Sequence, residues 1–461
     1  MNSYSPIDSL HPDCPDWRRM GPTTLDAGIR AMAETQAVRD DGRTQAWSKG
    51  FTRRKLLAGG MGAGVAAIGS QLVTTRVAYA AGAATGTLVV VFLRGGMDGL
   101  SMVAPTGTAA AVAELVAKRG DIALRGDSPG AMGLDRGFVL SPALAALKPY
   151  VGGRLAAVPA VSTPSLSRSH FQAQDCLERG GASGGGSSDG WLDRLLQVLG
   201  TGTTFRSIGA GSSAPRSLLG QGSPVMMDSL AGFGIEGIGD GTTPQTMTAL
   251  RKLYTGIDHP MSATALTALL AADTVSTVAA TEKAPKDRGY EDTEWGNALG
   301  ALGSLIRTGQ GVRVATIDLG GWDMHTAIGT PISGDFNSLA SKFAQGLATF
   351  LTDLGPAIDT TTVVVMTEFG RRVEANASGG VDHGHGGVAL ILGGGVAPGV
   401  KGAWDQQWYT SQDYLDSGDI PGTNDFRNLL SEVVMKRFGL TAAQISPVFP
   451  DWTPTSLGVM V

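Results

Sequence analysis

The sequence predicts an α/β fold built on a doubly wound sheet, and three observations carry that prediction. Thr87–Leu93 (TLVVVFL) is an unbroken apolar run, and Arg154–Val161, Val312–Leu319, Thr361–Thr367 and Val388–Leu392 share its character. Runs without polar alternation belong to strands covered on both faces, as parallel strands are. Between them fall helical patterns at Ser169–Arg179, Gly296–Thr308, Ser338–Leu354 and Asp425–Phe438. Strands alternating with helices of that length wind a sheet on both faces. The first strand also stops abruptly at Arg94-Gly95-Gly96-Met97-Asp98-Gly99, a tight loop. Glycine clusters at 180–190, 234–241 and 393–399 mark further loops. Residues 226–286 are poorer in strand signal, with helical stretches at Thr246–Tyr254 and Ala263–Ala271. They are expected to form a helical insertion, or a cap over the site.

The first 80 residues read as an export device. Residues 1–50 are a polar leader of mixed charge. Phe51-Thr52-Arg53-Arg54-Lys55-Leu56-Leu57 then begins a weakly apolar Gly/Ala run that ends at Val77-Ala78-Tyr79-Ala80. An arginine pair, an apolar run and a small-residue cleavage site make a twin-arginine signal over 51–80, leaving 81–461 as the mature domain. The Tat export machinery is therefore an expected partner, and the destination is the periplasm, the cell surface or the medium. The rival reading is a membrane anchor, but the stretch is short, broken by glycines and interrupted by Arg76, whereas a spanning helix wants about 20 apolar residues. No stable membrane span is expected in the mature chain. Cys14 lies in the leader, so Cys176 stands alone and an internal disulfide framework is excluded. Of 36 Lys/Arg and 41 Asp/Glu, ten and seven lie in residues 1–80, leaving 26 against 34 and a net charge of −8. That balance argues against nucleic acid as a partner.

Open α/β sheets bind ligands beyond the carboxyl ends of their strands. Asp98 follows the first strand, Asp323 and His325 follow Val312–Leu319, and Glu368 ends Thr361–Thr367. Asp382-His383-Gly384-His385-Gly386 leads into the last strand. Imidazoles and carboxylates converging from separate loops suit a divalent metal, zinc or manganese first, as one or two ions. Each residue also has a plainer reading. Asp98 is a turn residue before glycine, Asp323-Met324-His325 a turn with a surface histidine, and Glu368 a salt-bridge partner of Arg371 or Arg372. In the Asp382–His385 segment, His385 is the preferred ligand, with His383 and Asp382 orienting a ligand or binding substrate. Ser167-Arg168-Ser169-His170-Phe171 precedes a helix, where Ser169 is either an N-cap or a nucleophile that gains from the helix's positive end. Arg168 is placed to pair with an anionic ester group. Asp425 at the last helix is explained by capping. No P-loop, dinucleotide fingerprint or G-x-S-x-G elbow is present.

These motifs together resemble the bacterial Tat-exported family known as domain of unknown function 1501. The resemblance rests on LVVVFLRGGMDGL (88–100), SRSHF (167–171) with Gln174 and Asp175, DGWLDR (189–194), VRVATIDLGGWDMHT (312–326), VVVMTEFGRR (363–372) and DHGHGGVALILGGGV (382–396). That family is placed with the alkaline phosphatase and sulfatase superfamily. The resemblance implies an alkaline phosphatase-like central sheet of mixed direction with helices on both faces. It further implies metals flanking a nucleophile at a helix start. Asp98 matches the acid after the first strand, Asp323 and His325 a later acid–histidine pair, and His383 or His385 the final histidine. Glu368-Phe369 stands where the superfamily has Asp-His, which leaves a second ion short of a ligand. Cys176 is followed by Leu177-Glu178-Arg179, so the Cys-x-Pro-x-Arg motif of formylglycine sulfatases is absent.

The expected function is hydrolysis of a small anionic phosphate or sulfate ester. Asp98, Asp323, His325, Glu368 and His385 would hold metal and Ser169 would attack, with Arg168 and His170 at its side. The alternative is a non-catalytic exported binding or assembly protein with a degenerate site. A redox role lacks both a cysteine cluster and a dinucleotide fingerprint.

Overall fold

The computed structural model describes residues 86–181, 189–211, 213–222, 224–234, 243–257, 260–404 and 418–461. The leader and the twin-arginine segment lie outside the described residues. Strand β1 (Thr87–Leu93) sits centrally, because every one of its residues is buried. Its side chains alternate between two cores. Val89, Val91 and Leu93 join one cluster, and Leu88, Val90 and Phe92 join the other. An apolar run with no polar alternation is what a strand covered on both sides requires.

Nine of the described strands pair into one sheet. Besides β1 they are β2 (Leu155–Ser162), β3 (Ser207–Gly209), β4 (Val225–Met226), β5 (Val314–Leu319), β6 (Thr361–Met366), β9 (Gly387–Gly393), β10 (Gly399–Val400) and β11 (Asn424–Asp425). The order is β10-β2-β9-β6-β1-β5-β3-β4, with β11 also pairing with β2. β1 runs parallel to β5 and β6, in registers Leu88↔Val314 and Val89↔Val363. Strand β9 runs against both its neighbours, β2 and β6. The sequence reads β9 as another parallel strand, since burial on both faces produces the same apolar run in either direction. Its reversal comes from a hairpin, β7 (Arg371–Ala375) with β8 (Val381–His383), which turns the chain back between β6 and β9.

Helices cover both faces. On one side lie α6 (Glu294–Arg307) and α7 (Asp335–Asp353), contributing Trp295, Leu299, Phe343 and Phe350 to the first core. On the other lie α3 (Trp191–Leu199) and α8 (Phe426–Phe438), contributing Trp191, Leu195, Leu429 and Val433. Asp425 caps α8 by accepting from the Arg427 N–H at 2.8 Å, as its position predicts. The 226–286 stretch contains α4 (Thr243–Tyr254) and α5 (Pro260–Thr281), which pack on each other in a small core of their own. Helix α1 (Ala109–Arg119) and helix α2 (His170–Arg179) complete the set that matters for the site. Among the described residues no helix is long and apolar enough to cross a membrane.

Candidate metal centre

The carboxyl ends of β1, β5 and β6 and the start of α2 open on one edge of the sheet. There His170, Asp323 and His383 bring one donor atom each within 4.8 Å of one another. His170 is the first residue of α2, and His383 is the last of β8. Asp323 follows β5 after a Gly-Gly turn. The closest approaches are His170 Nε2 to His383 Nε2 at 3.0 Å and His325 Nε2 to His383 Nε2 at 2.9 Å. Asp323 Oδ1 lies 3.0 Å from His325 Nε2 and 3.5 Å from His383 Nε2, and its Oδ2 lies 3.6 Å from His170 Nε2.

The far nitrogens explain why these rings face one another. His170 Nδ1 meets Glu368 Oε1 at 2.8 Å, His383 Nδ1 meets the Arg168 carbonyl at 2.7 Å, and His325 Nδ1 meets Asp382 Oδ1 at 3.3 Å. Each of these partners only accepts, so each Nδ1 is placed to donate and each Nε2 is turned toward the cluster. Nitrogens and a carboxylate crowded at about 3 Å must share a positive charge, which a proton on His170 supplies in the empty cluster and a metal ion would supply in its place. Two nitrogens bonded to one zinc at ~2.0–2.1 Å stand roughly 3.3 Å apart in a tetrahedron, close to the spacings observed. Oxygen acceptors on the outer nitrogen are also how protein sites orient ligating histidines.

Charge is tuned around this cluster. Burial alone would push Glu368 upward, but hydrogen bonds from His170, Gln174 and backbone amides outweigh it and bring the carboxyl down to about 2. Glu368 is 1% exposed and accepts from Gly95 N–H, Gln174 Nε2 and Thr367 Oγ1 at 3.0, 2.9 and 3.0 Å. Burial would likewise lower His170, yet its contacts with Asp323 and Glu368 raise it to about 9. Asp323, although partly desolvated, is held well below the carboxylate range by His170, His325, His383 and Arg371. Burial lowers His383, and the charges of Arg371, His170 and His325 act the same way against the pull of Asp323.

The residues singled out in the sequence fall into two groups. Asp323, His325, His383, Glu368, Asp382 and His170 come together. Glu368 and Asp382 stand behind the imidazoles rather than beside them, and His170, expected beside the serine as a catalytic residue, lies with Asp323 and His383. Asp98 is not brought to this cluster: it pairs with Arg119 of α1, and its Oδ2 accepts from Ser101 Oγ at 2.5 Å. His385 is also elsewhere, its Nε2 at 3.4 Å from the Thr163 carbonyl. Ser169 is the N-cap of α2 but makes no side-chain capping bond, and its own N–H donates to Ser167 Oγ at 3.2 Å. The Arg168 guanidinium pairs with buried Asp419 and remains 40% exposed. Sequence reasoning offers Arg371 only as a salt-bridge partner of Glu368, whereas it pairs with Asp323, and it passes over Asn376; both residues hold the loops. Asn376 donates to the His325 carbonyl and to Asp382 at 2.8 and 3.0 Å. The signal for Arg371 was its place in a strand flanked by site residues.

Gly95 shows how tightly the loops meet. Its φ is +121°, and a Cβ there would lie 2.5 Å from the Asp323 backbone nitrogen. Gly95→Ala is expected to destabilise the fold by at least ~1–3 kcal/mol through backbone strain and to displace the Asp323 loop. Thermal melts with and without added zinc check this, and an unchanged melting temperature in both would refute it.

Fold and site together define a doubly wound α/β protein with a histidine–aspartate cluster at the carboxyl edge of its sheet. The chain belongs to the family described as a protein of unknown function (DUF1501), whose model matches residues 131–448. No curated protein matches it significantly. Among solved structures it is similar to the C-terminal periplasmic domain of EcEptC from Escherichia coli in complex with Zn. The identity is 11% and the TM-score 0.34, over 81% of this chain and 89% of that one. It is also similar to the lipooligosaccharide phosphoethanolamine transferase EptA from Neisseria meningitidis, at 11% identity and TM-score 0.29 over 89% and 67% of the chains. The lipoteichoic acid synthase LtaP from Listeria monocytogenes follows, at 12% and 0.26 over 78% and 79%. At these scores the likeness is loose.

Proposed function

We propose that the chain is an exported, metal-dependent hydrolase of phosphate or sulfate esters, with the ion held by His170, Asp323 and His383. The observation that carries this reading is the approach of His170 Nε2, His383 Nε2 and the Asp323 carboxylate, with the outer Nδ1 of each ring against an oxygen acceptor. A donor set of nitrogens with one carboxylate suits zinc, with manganese second. An ion there would supply Lewis-acid polarisation of the ester and neutralise charge developing on it. Ser169 Oγ, free of capping duty beside His170, is the nucleophile in this reading. It forms a bond to phosphorus or sulfur as the alcohol leaves with a proton. Water then releases the inorganic anion and restores the serine. The exposed part of Arg168 and the start of α2 hold the anionic group. Tat export would deliver the folded chain to the periplasm, cell surface or medium.

A second reading, a non-catalytic binding protein, is favoured by two observations. Asp98 is engaged by Arg119, and Phe369 packs against His170 at 4.8 Å between ring centres where the superfamily pattern has a histidine. Elemental analysis beside turnover of a chromogenic phosphate or sulfate ester separates the two. Ser169→Ala is expected to abolish turnover and keep the metal, and undiminished turnover would remove Ser169 as the nucleophile.

A further inference from the structure

Arg371 is buried, with its side chain fully covered. All five of its N–H donors find acceptors. Nε donates to the Gly96 carbonyl at 2.5 Å, and Nη2 to the Gly95 carbonyl and to Asp323 Oδ1, the latter at 2.6 Å. Nη1 donates to the Val381 carbonyl at 3.0 Å and to His325 Nε2 at 3.3 Å. A guanidinium has five donors and no more, so this one is saturated. It joins the loop after β1, the loop after β5 and strand β8, which are three segments that build the site.

We propose that Arg371 is a positioning residue that withholds His325 from the metal, leaving the ion with three protein ligands and an open coordination position. This rests on the metal reading above. The His325 Nδ1 proton is given to Asp382, so its one lone pair is at Nε2. That lone pair accepts from Arg371, and a lone pair engaged by an N–H is not available to a cation. His325 Nε2 also lies 2.9 Å from His383 Nε2 and 3.0 Å from Asp323 Oδ1, but the guanidinium is what sets it apart. The described partners of His170 and His383 Nε2 are imidazole nitrogens and the Asp323 carboxylate alone. Arg371 also occupies Asp323 Oδ1, which leaves Oδ2 as the oxygen facing His170. At 2.9 Å from His383 Nε2, His325 stands close enough to become a fourth ligand once Arg371 is gone. Four protein ligands close a zinc site as structural sites are closed, whereas three leave the place that catalysis needs. Arg371 thus separates the two outcomes.

Cobalt(II) loaded into the full mature chain reports coordination by its visible spectrum, independently of turnover. His325→Ala is expected to keep one ion per chain and the wild-type spectrum. Its affinity should fall by no more than the roughly 10–100-fold typical of a supporting residue. Arg371→Met should change the spectrum as His325 enters, and the Arg371→Met/His325→Ala double variant should return it to the wild-type form. A purely structural arginine would lower the melting temperature of both variants without that reversal. An altered spectrum in His325→Ala, or an unaltered one in Arg371→Met, overturns the proposal while leaving the metal site standing. Failure of the wild-type chain to take up cobalt or zinc overturns the metal reading itself. Should Arg371→Met not fold, the His325→Ala spectrum decides alone.

Discussion

His383→Ala is expected to strip the ion from the protein and end turnover while leaving the fold intact. Its Nε2 is the nitrogen shared by the closest contacts in the cluster, with His170, His325 and Asp323 all within 3.5 Å. Apparent binding energies of structural zinc run to about 10–16 kcal/mol. Shared among three or four ligands, one ligand is worth ~3 kcal/mol or more, at least about 100-fold in affinity. The structural cost is smaller. The ring lies at the rim of the sheet, and its bond to the Arg168 carbonyl contributes only ~1 kcal/mol. A paired variant gives the contrast: His385→Ala should keep its metal, because that ring sits against Thr163 rather than in the cluster. Isothermal titration with zinc, alongside elemental analysis of both variants, is decisive. A His383→Ala chain that still binds zinc with wild-type affinity would sink the assignment. Loss of metal from His385→Ala would move the site toward the glycine-flanked histidine that the sequence favoured.

The contrast between those two histidines shows where the sequence was readable. Strand β1 is recovered residue for residue, because burial on both faces leaves no polar position to blur its ends. The edge on which Asp323, Glu368 and His383 gather is legible for the same reason: once parallel strands are placed, their carboxyl ends share a side. Within that edge the pattern is mute. His383 and His385 are separated by one glycine, and alternation alone puts them on the same side. The backbone instead bends at Gly384, where a Cβ would meet the Arg371 carbonyl carbon at 2.5 Å, and only His383 stays paired with Arg371 in the β7–β8 hairpin. Nothing local in Asp382-His383-Gly384-His385 encodes that bend. It depends on a strand that the sequence did not separate from its neighbours.

Asp98 and His170 carry the same lesson from opposite directions. An acid after the first strand is a natural ligand by position, yet Arg119, 21 residues further on, reaches back to claim it. A buried carboxylate beside a guanidinium has its charge balanced without a metal, although Asp98 Oδ1 itself has no hydrogen-bond partner. His170 looked like the neighbour of a nucleophile, since Ser-Arg-Ser-His before a helix reads first as capping. Its place beside Asp323 and His383 follows from Glu368, which meets its Nδ1 across 198 residues of chain. Separations of that size are set by the fold, and no spacing rule reaches them.

The metal-free protein should respond to pH in the direction opposite to the loaded one. In the empty cluster His170 is drawn up to about 9 from 6.5, so its contribution to stability is fully present below 6.5 and is lost as pH rises through about 9. Glu368 is drawn down to about 2 from 4.5, so its contribution is present above 4.5 and is lost as pH falls through about 2. The two shifts describe one ion pair and do not add. On the order of 3 kcal/mol is at stake for His170. Metal-free chain is therefore expected to be most stable between about 4.5 and 6.5 and to weaken steadily from 6.5 to about 9. Zinc competes with the His170 proton for the same nitrogen, so zinc affinity should rise over that interval, by up to about tenfold per pH unit where one proton is displaced. The stability of the loaded chain then holds or increases where that of the chelated chain falls. Denaturant titrations at a series of pH values, with chelator or with excess zinc, measure both curves. Glu368→Gln removes one of the two carboxylates that raise His170, Asp323 being the other, and should make the metal-free slope above 6.5 shallower. A metal-free stability indifferent to pH between 6.5 and 9 in the unaltered chain would show that the His170–Glu368–Asp323 arrangement does not hold a proton, and with it the competition between proton and metal would fall.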